Sequence, residues 1–412
     1  MQIEQWTVSK KPITFIDEFL DLHKDIIKYG PKSILDAKIN LNKERTNEKV
    51  ETNIQVAEPN DSKEIAAIFK ELYHNTYPYK KMEDSMDIQK RIEESKTEWT
   101  VYKTNKNRII GCFGGDLDVG FKKAFLHGFA IRKDYHHIID VLKASILSFL
   151  YFWYTYKKQK QSWFGEIRTY SSVPQWGTAM YGLRPIAFLP NKDIFYNRVE
   201  SEFLHAAYDK EMIRNLRYKE TPKIILNATK AYTFSTDKYK LGFPKILNPK
   251  IDIDKNKVID YKSGIKEKIY KDKYNNEYIE FVIANSFFRF EYNPFSKLIE
   301  KTNYKANSLE EIKAFLLKVK EFIIKQNINY FQCFVSSYHP EEQQLFYNMG
   351  FKPRGYVPCW QYNPKKKVFE DNILFNYYSG KLSDNLQLIP ESQKLLEMLG
   401  FFEEESMKEI FS

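Results

Sequence analysis

The longest apolar stretch of the chain changes its period part-way along. Residues 124–131 read Ala-Phe-Leu-His-Gly-Phe-Ala-Ile, apolar on both faces, as an interior strand of a covered sheet requires. A polar turn follows at 132–137. From 138 to about 156 apolar residues run nearly all round a helix, so that helix is predicted to be buried. The pattern on either side predicts a mixed series. Residues 52–57 alternate as a strand. Ile65, Ile68, Phe69 and Leu72 share one face of a helix, with Asp61 and Glu64 spaced as its capping box. A second helix is predicted at 86–95. Strands at 98–102 and 108–118 form a hairpin around the turn 104–107. The central strand and helix come next, then a strand at 163–170, a short helix at 175–181 and a last strand within 185–200. Before all of these, 15–27 carries a helical pattern, whereas 32–50 is polar and loop-like.

The second half echoes the first. Gly182-Leu183-Arg184-Pro185-Ile186-Ala187-Phe188-Leu189-Pro190 and Gly350-Phe351-Lys352-Pro353-Arg354-Gly355-Tyr356-Val357-Pro358 share one pattern: Gly, apolar, basic, Pro, two free positions, aromatic, apolar, Pro. Upstream, Ser171-Ser172-Val173-Pro174 parallels Ser336-Ser337-Tyr338-His339-Pro340. The glycines lie 168 positions apart, far beyond the 20–50 of a solenoid, which points to duplication of a domain. Around the second copy, 278–291 reads as paired strands. Ser308 and Glu311 cap a helix at 309–325, and a strand at 327–335, a helix at 340–348 and a strand at 372–378 follow. Residues 221–275 are rich in Lys, Ile and Asp and read as strand and loop, with nothing like the two early helices of the first half. Residues 381–412 form a C-terminal tail, helical at 392–399. The division expected is an appendage at 1–50, domains at 51–220 and 221–380, and the tail.

Composition narrows the class. With 412 residues, 43% apolar and 29% charged, the chain is globular and long enough for two or three cores. A net charge of +10 favours acidic partners, but it forms no dense run, and no nucleic-acid motif accompanies it. Cys112, Cys333 and Cys359 are too far apart for a zinc motif or a disulfide framework. The start, Met1-Gln2-Ile3-Glu4-Gln5-Trp6, is not a signal peptide. The apolar run at 138–156 includes Asp140 and Lys143 and falls short of the roughly 20 apolar residues of a span. The expectation is a soluble cytoplasmic protein of open oligomeric state.

The element order, together with Arg108-Ile109-Ile110-Gly111-Cys112-Phe113, the central strand–turn–helix and Met180-Tyr181-Gly182-Leu183-Arg184-Pro185, resembles the GNAT acyltransferase superfamily over roughly 52–200. That resemblance implies an α/β (α+β) fold of two GNAT-like mixed sheets flanked by helices, in tandem. Tandem proteins of such length include enzymes like N-myristoyltransferase, mycothiol synthase and the aminoacyl-tRNA-dependent peptidoglycan transferases. In such pairs one unit often keeps the cofactor site, here the first. The second would line the acceptor site, with Tyr356, Trp360 and Tyr362 as wall residues.

The resemblance also implies acetyl-CoA or another acyl-CoA, held by Phe129, Ala130, Ile131, Arg132, His136, His137, Ile138 and Ile139. Its pyrophosphate would lie against the turn amides and the positive end of the helix. Family members usually have glycines there; this turn has none. Adjacent histidines on a helix do not converge on one ion, so no metal is expected. Acyl transfer needs a base for the amine and an acid for the thiolate. Glu166 is the candidate base and Tyr181, just before Gly182, the candidate acid; His127 is a further candidate on the central strand. Two function classes follow. One is an acyl-CoA-dependent N-acyltransferase acting on a small-molecule or peptide amine. The other is a GNAT-derived binding or scaffold protein without catalysis. An aminoacyl-tRNA-dependent transferase is a third, supported by charge alone.

Overall fold

Residues 97–131 carry Trp99, Val101, Tyr102, Ile109, Ile110, Phe113 and Leu126 in three strands, and this stretch forms the heart of the first sheet. The computed structural model describes residues 12–22, 30–35, 37–41, 51–382 and 385–401. The chain is α/β, and it divides into two compact units. The first comprises Met1–Arg184, Ile194–Arg198 and Leu204–Met212; the second comprises Pro185–Asp193, Val199–Phe203 and Ile213–Ser412. No helix among the described residues is long and apolar enough to cross a membrane.

The first unit is built on β1 (Thr52–Val56), β2 (Thr97–Thr104), β3 (Ile109–Asp116), β4 (Lys123–Ile131) and β5 (Ser162–Arg168). Neighbours are antiparallel up to β4, and β4 and β5 are parallel. The hairpin of β6 (Arg184–Phe195) and β7 (Arg198–Tyr208) follows, with β7 beside β5; its residues are shared between the units. Along β4, Ala124 and Leu126 point to one face and His127 to the other, because strand side chains alternate. On the first face lies α5 (Val141–Tyr156), whose Phe149, Phe152 and Trp153 are buried with Trp163 of β5. The opposite face is covered by α3 (Ser62–Tyr73) and α4 (Ser85–Glu93). Their Ile65, Ile68, Phe69 and Ile88 pack on Trp99, Val101 and Cys112. Burying each such side chain contributes about 1.5–3 kcal/mol. The segments before β1 include α1 (Ile16–Leu22) and α2 (Pro31–Leu35), and their Ile16, Phe19, Ile34 and Ile39 belong to the same core as α5. The rest of the predicted helix at 15–27 lies outside the described residues.

Asp61 does not cap α3. Its carboxylate accepts from the backbone of Glu58 at 3.0 Å and from Lys103 Nζ at 3.0 Å, closing instead the short turn Pro59–Asp61. The short helix before Gly182, α6 (Ser172–Met180), starts three residues earlier than predicted, because Ser171 Oγ accepts from Val173 N.

In the second unit, β8 (Lys223–Ile225) and β9 (Lys245–Leu247) form a two-stranded parallel ribbon beside the main sheet. That main sheet contains β10 (Lys266–Lys271), β11 (Glu277–Ile283), β12 (Ser286–Asn293), β13 (Leu298–Lys305), β14 (Tyr330–Ser336), β15 (Lys352–Asn363) and β16 (Val368–Tyr378), with β16 between β14 and β15. Two helices, α7 (Thr229–Tyr239) and α8 (Lys255–Gly264), occupy ground expected to be strand and loop. Only Val258 of α8 is buried, so no apolar period marks it; Asp254 starts it by accepting from Asn256 N and Lys257 N. α9 (Leu309–Gln326) is capped by Ser308 Oγ on Glu311 N, as its sequence indicated, and buries Phe315 and Phe322 against Phe288 and Phe290. α10 (Pro340–Asn348) precedes β15. α11 (Pro390–Leu399) buries Leu395 and Leu396 with Phe188, Phe203 and Phe234.

The strands β1 to β7 and β10 to β16 follow one plan: four antiparallel neighbours, a helix, a parallel fifth strand, a short helix, and a hairpin whose second strand lies beside the fifth. Gly182 and Gly350 end their short helices with φ of 87° and 96°.

Candidate functional site

Parallel pairing of β4 and β5 runs from Lys123 opposite Ser162 to Leu126 opposite Gly165, and stops there. His127 is the first residue past that point on β4, and Glu166 the first on β5. A split therefore opens between the C-terminal ends of the two strands, which pair no further with each other beyond this point. Opposite, β4 is bulged. Gly114 faces His127 and Cys112 faces Ala130, so Phe113 alone spans Gly128 and Phe129. Gly128 has φ +65°, a conformation glycine reaches without strain. A side chain there would also meet Trp99, Met82 and Phe69 at 2.9–3.0 Å. Sequence and sheet agree at this position: only glycine serves.

His127 and Glu166 stand on the sheet face that carries α3 and α4. The His127 Nε2 lies 3.0 Å from Asp116 Oδ1, and Arg91 Nη2 lies 2.9 Å from the same oxygen. Burial works against ionising Asp116. The charges of His127, Lys81 and Arg91 outweigh it and hold the carboxyl well below the usual carboxylate range. The other ring nitrogen of His127, Nδ1, is buried and has no hydrogen-bond partner among the described residues. Glu166 is half-buried. Two residues on, the Arg168 guanidinium lies 4.0 Å from the centre of the Phe195 ring. Phe195 and Tyr196 meet Tyr73 at the end of α3, and Phe195 meets Tyr77 just after it, forming an aromatic bed on this face.

The turn after β4 does not form an open cradle of amides. The N–H of His136 donates to Lys133 O, and those of Ile138 and Ile139 donate to Tyr135 O. Asp140 caps α5 on Lys143 N, and the segment through Asn40 pairs with Ile139. Arg132 faces away from the split: it is buried, its guanidinium pairs with Glu64 and Glu71 of α3, and its Nε donates to Ile109 O. His136 bonds Ile131 O through its ring, and the His137 side chain is exposed. Phe129 is half-buried at the bulge, and Ala130 and Ile131 are buried beside it.

Tyr181 has a core place. It is 1% exposed, stacks on Phe149 with ring centres 4.6 Å apart, and burial raises its pKa well above that of a free phenol. That position suits packing and separates the hydroxyl from any ligand in the split.

Missed by the sequence reading were Asp116, Arg91 and the bulge. A signal was present: Gly111, Gly114 and Gly115 in one strand mark close approach of neighbours, and a side chain at Gly114 would lie 2.6 Å from the His127 ring.

The second unit repeats the bulge. Phe290 spans Lys301 and Thr302, and Lys301 has φ +52°. Here the split is bridged, because Thr302 Oγ1 donates to Gln332 O of β14 at 2.6 Å, and Lys301 is tied to Glu291. Of the proposed wall residues, Tyr356 is buried and donates to Asp371, Trp360 stacks on Phe334, and Tyr362 packs on Phe369.

No model of a known protein family matches the chain, and no curated protein matches it. Among solved structures, a ribosomal-protein-S5-alanine acetyltransferase from Vibrio fischeri is 12% identical with a TM-score of 0.32, over 42% of this chain and 97% of its own. An acetyltransferase of the GNAT family from Streptococcus pneumoniae is 14% identical with a TM-score of 0.33, over 38% and 99%. A spermidine/spermine N-acetyltransferase from Vibrio cholerae is 11% identical with a TM-score of 0.32, over 39% and 94%. The chain is similar, over about two fifths of its length, to acetyltransferases of the GNAT fold.

Proposed function

We propose that this protein is an acyl-CoA-dependent N-acyltransferase whose transfer site is the split in the first unit. The observation that carries the reading is the bulge at Gly128 beside the end of β4–β5 pairing, with His127 and Glu166 as the first residues on the two lips. Acyl-CoA supplies the acyl group as an activated thioester on an arm that contains amides. The β4 edge beside Phe129 and Ala130, past the end of its pairing with β5, fits such an arm, since an extended chain can add there as a strand would. His137 and Lys133, exposed at the turn, are the groups available to its phosphates.

Glu166 takes the proton that the acceptor amine gives up, directly or through water. The C–N bond forms as the C–S bond breaks, and the thiolate leaves with a proton from water. The amine, of a small molecule or a peptide, lies on the bed of Tyr73, Tyr77, Phe195 and Tyr196. The shared strand plan supports a tandem duplication, in which the bridged second unit has lost the cleft and the first has kept it.

A second reading, a binding protein that keeps the fold without transfer, is favoured by the inward-bonded amides of the turn and by the Asp140 carboxylate at the N-terminus of α5. Calorimetry with acetyl-CoA, followed by turnover against a panel of amines, separates the two. The enzyme reading expects binding, and a loss of about 10²–10⁴ in rate for Glu166→Gln with cofactor affinity retained. Binding with no turnover of any amine supports the second reading; a fully active Glu166→Gln removes that residue from the chemistry.

A further inference from the structure

We infer that the first unit has a second binding site, for a phosphate-bearing small molecule, in the basic cavity at the N-terminal ends of β4 and β5. This site is independent of the transferase reading, since the split opens at the other ends of the same strands. Two loops build it: Asp118, Gly120, Phe121 and Lys122 before β4, and Lys158, Gln159 and Lys160 before β5. The hollow is open to solvent and measures about 640 Å³, within the roughly 300–1,000 Å³ of small-molecule sites.

The loops are held in place. Lys160 Nζ donates to Leu117 O at 2.5 Å and reaches Gly120 O at 3.5 Å, Lys122 Nζ donates to Gln161 Oε1 at 2.7 Å, and the N–H of Gln161 donates to Lys122 O. An ammonium has three donors. One N–H of Lys160, two of Lys122 and all three of Lys158 thus remain for a ligand. Asp118 is the one carboxylate of the lining, and it is paired with Arg91 at 3.2 Å, so the cavity is positive. Burial lowers the pKa of Lys160 even with Asp118 near, so an added negative charge is favourable there. Phosphate oxygens match this donor set. At the rim Phe121 is 52% exposed and Val119 is 42% exposed, a surface for a flat apolar portion of the same molecule.

ATP is the probe. Its binding to the full chain is measured by calorimetry with saturating acetyl-CoA present, and inorganic pyrophosphate is titrated in parallel. Lys158 is exposed and has no partner among the described residues, so Lys158→Glu keeps the fold. The expectation is binding of both probes, a Kd weakened tenfold or more by Lys158→Glu for both, and a Kd weakened several-fold by Phe121→Ala for ATP alone. Failure of the wild-type chain to bind either probe, equal affinity in Lys158→Glu, or loss of ATP binding when acetyl-CoA is added overturns the assignment. Phe121→Ala with unchanged ATP affinity overturns the flat portion of the ligand.

Discussion

His127 stands alone in an apolar strand, where a histidine is ordinarily a satisfied core residue. Here it is only half satisfied: one ring nitrogen meets Asp116 and the other meets nothing among the described residues. Asp116 is what makes the arrangement sensitive to acid. An aspartate in an unfolded chain titrates near 3.9. In the fold its pKa is depressed, so its contribution to stability is complete above that value and drains away as pH falls below about 4. Asp116→Asn is therefore expected to lower the Tm at pH 6 and to show a shallower loss of Tm than the wild type between pH 5 and 3. Parallel melting curves over that range would refute the pairing.

Strands β6 and β15 approach closely within the second unit, where Gly355 faces Ala187. A methyl group on Gly355 would lie 2.1 Å from Ala187 Cβ and 2.6 Å from Ile186 O. Backbone atoms on one side cannot yield, so Gly355→Ala is expected to destabilise by about 1–3 kcal/mol, the usual cost of overpacking, or more; denaturant unfolding that leaves the midpoint unchanged would show that the strands separate freely. Elements with a clear period were legible beforehand. The apolar face of α3, the N-cap of α9, and the β2–β3 hairpin around 104–107 all follow from local residue choice. Features set by register were not legible. The meeting of Asp116 with His127 depends on the register of β3 on β4, which places Gly114 opposite His127 and Asp116 opposite Phe125, and α8 buries a single apolar side chain. Tyr181 shows the same limit: its place before Gly182 reads equally as cleft or core, and only the stack on Phe149 decides.

At the scale of the molecule, the two runs of seven strands share one plan while their clefts differ, open beside Phe129 and bridged at Thr302. The chain also passes back and forth between the compact units through β6 and β7: 185–193 and 199–203 belong to the second, 194–198 and 204–212 to the first. Phe188 and Phe203, carried on those short pieces, sit in one cluster with Phe234, Leu395 and Leu396. A gene cut after Met212 would thus give a front half bearing strand segments that the back half requires. Made alone, 213–412 is expected to precipitate, because the faces around Phe234 and Leu396 lose their cover; made together with 1–212, it is expected to be recovered in solution as a non-covalent pair, read by co-purification through a tag on either fragment. Soluble, folded 213–412 on its own would contradict this. The interleaving makes the protein a complementation pair in waiting, in which neither compact unit can be inherited, shuffled or discarded without the other.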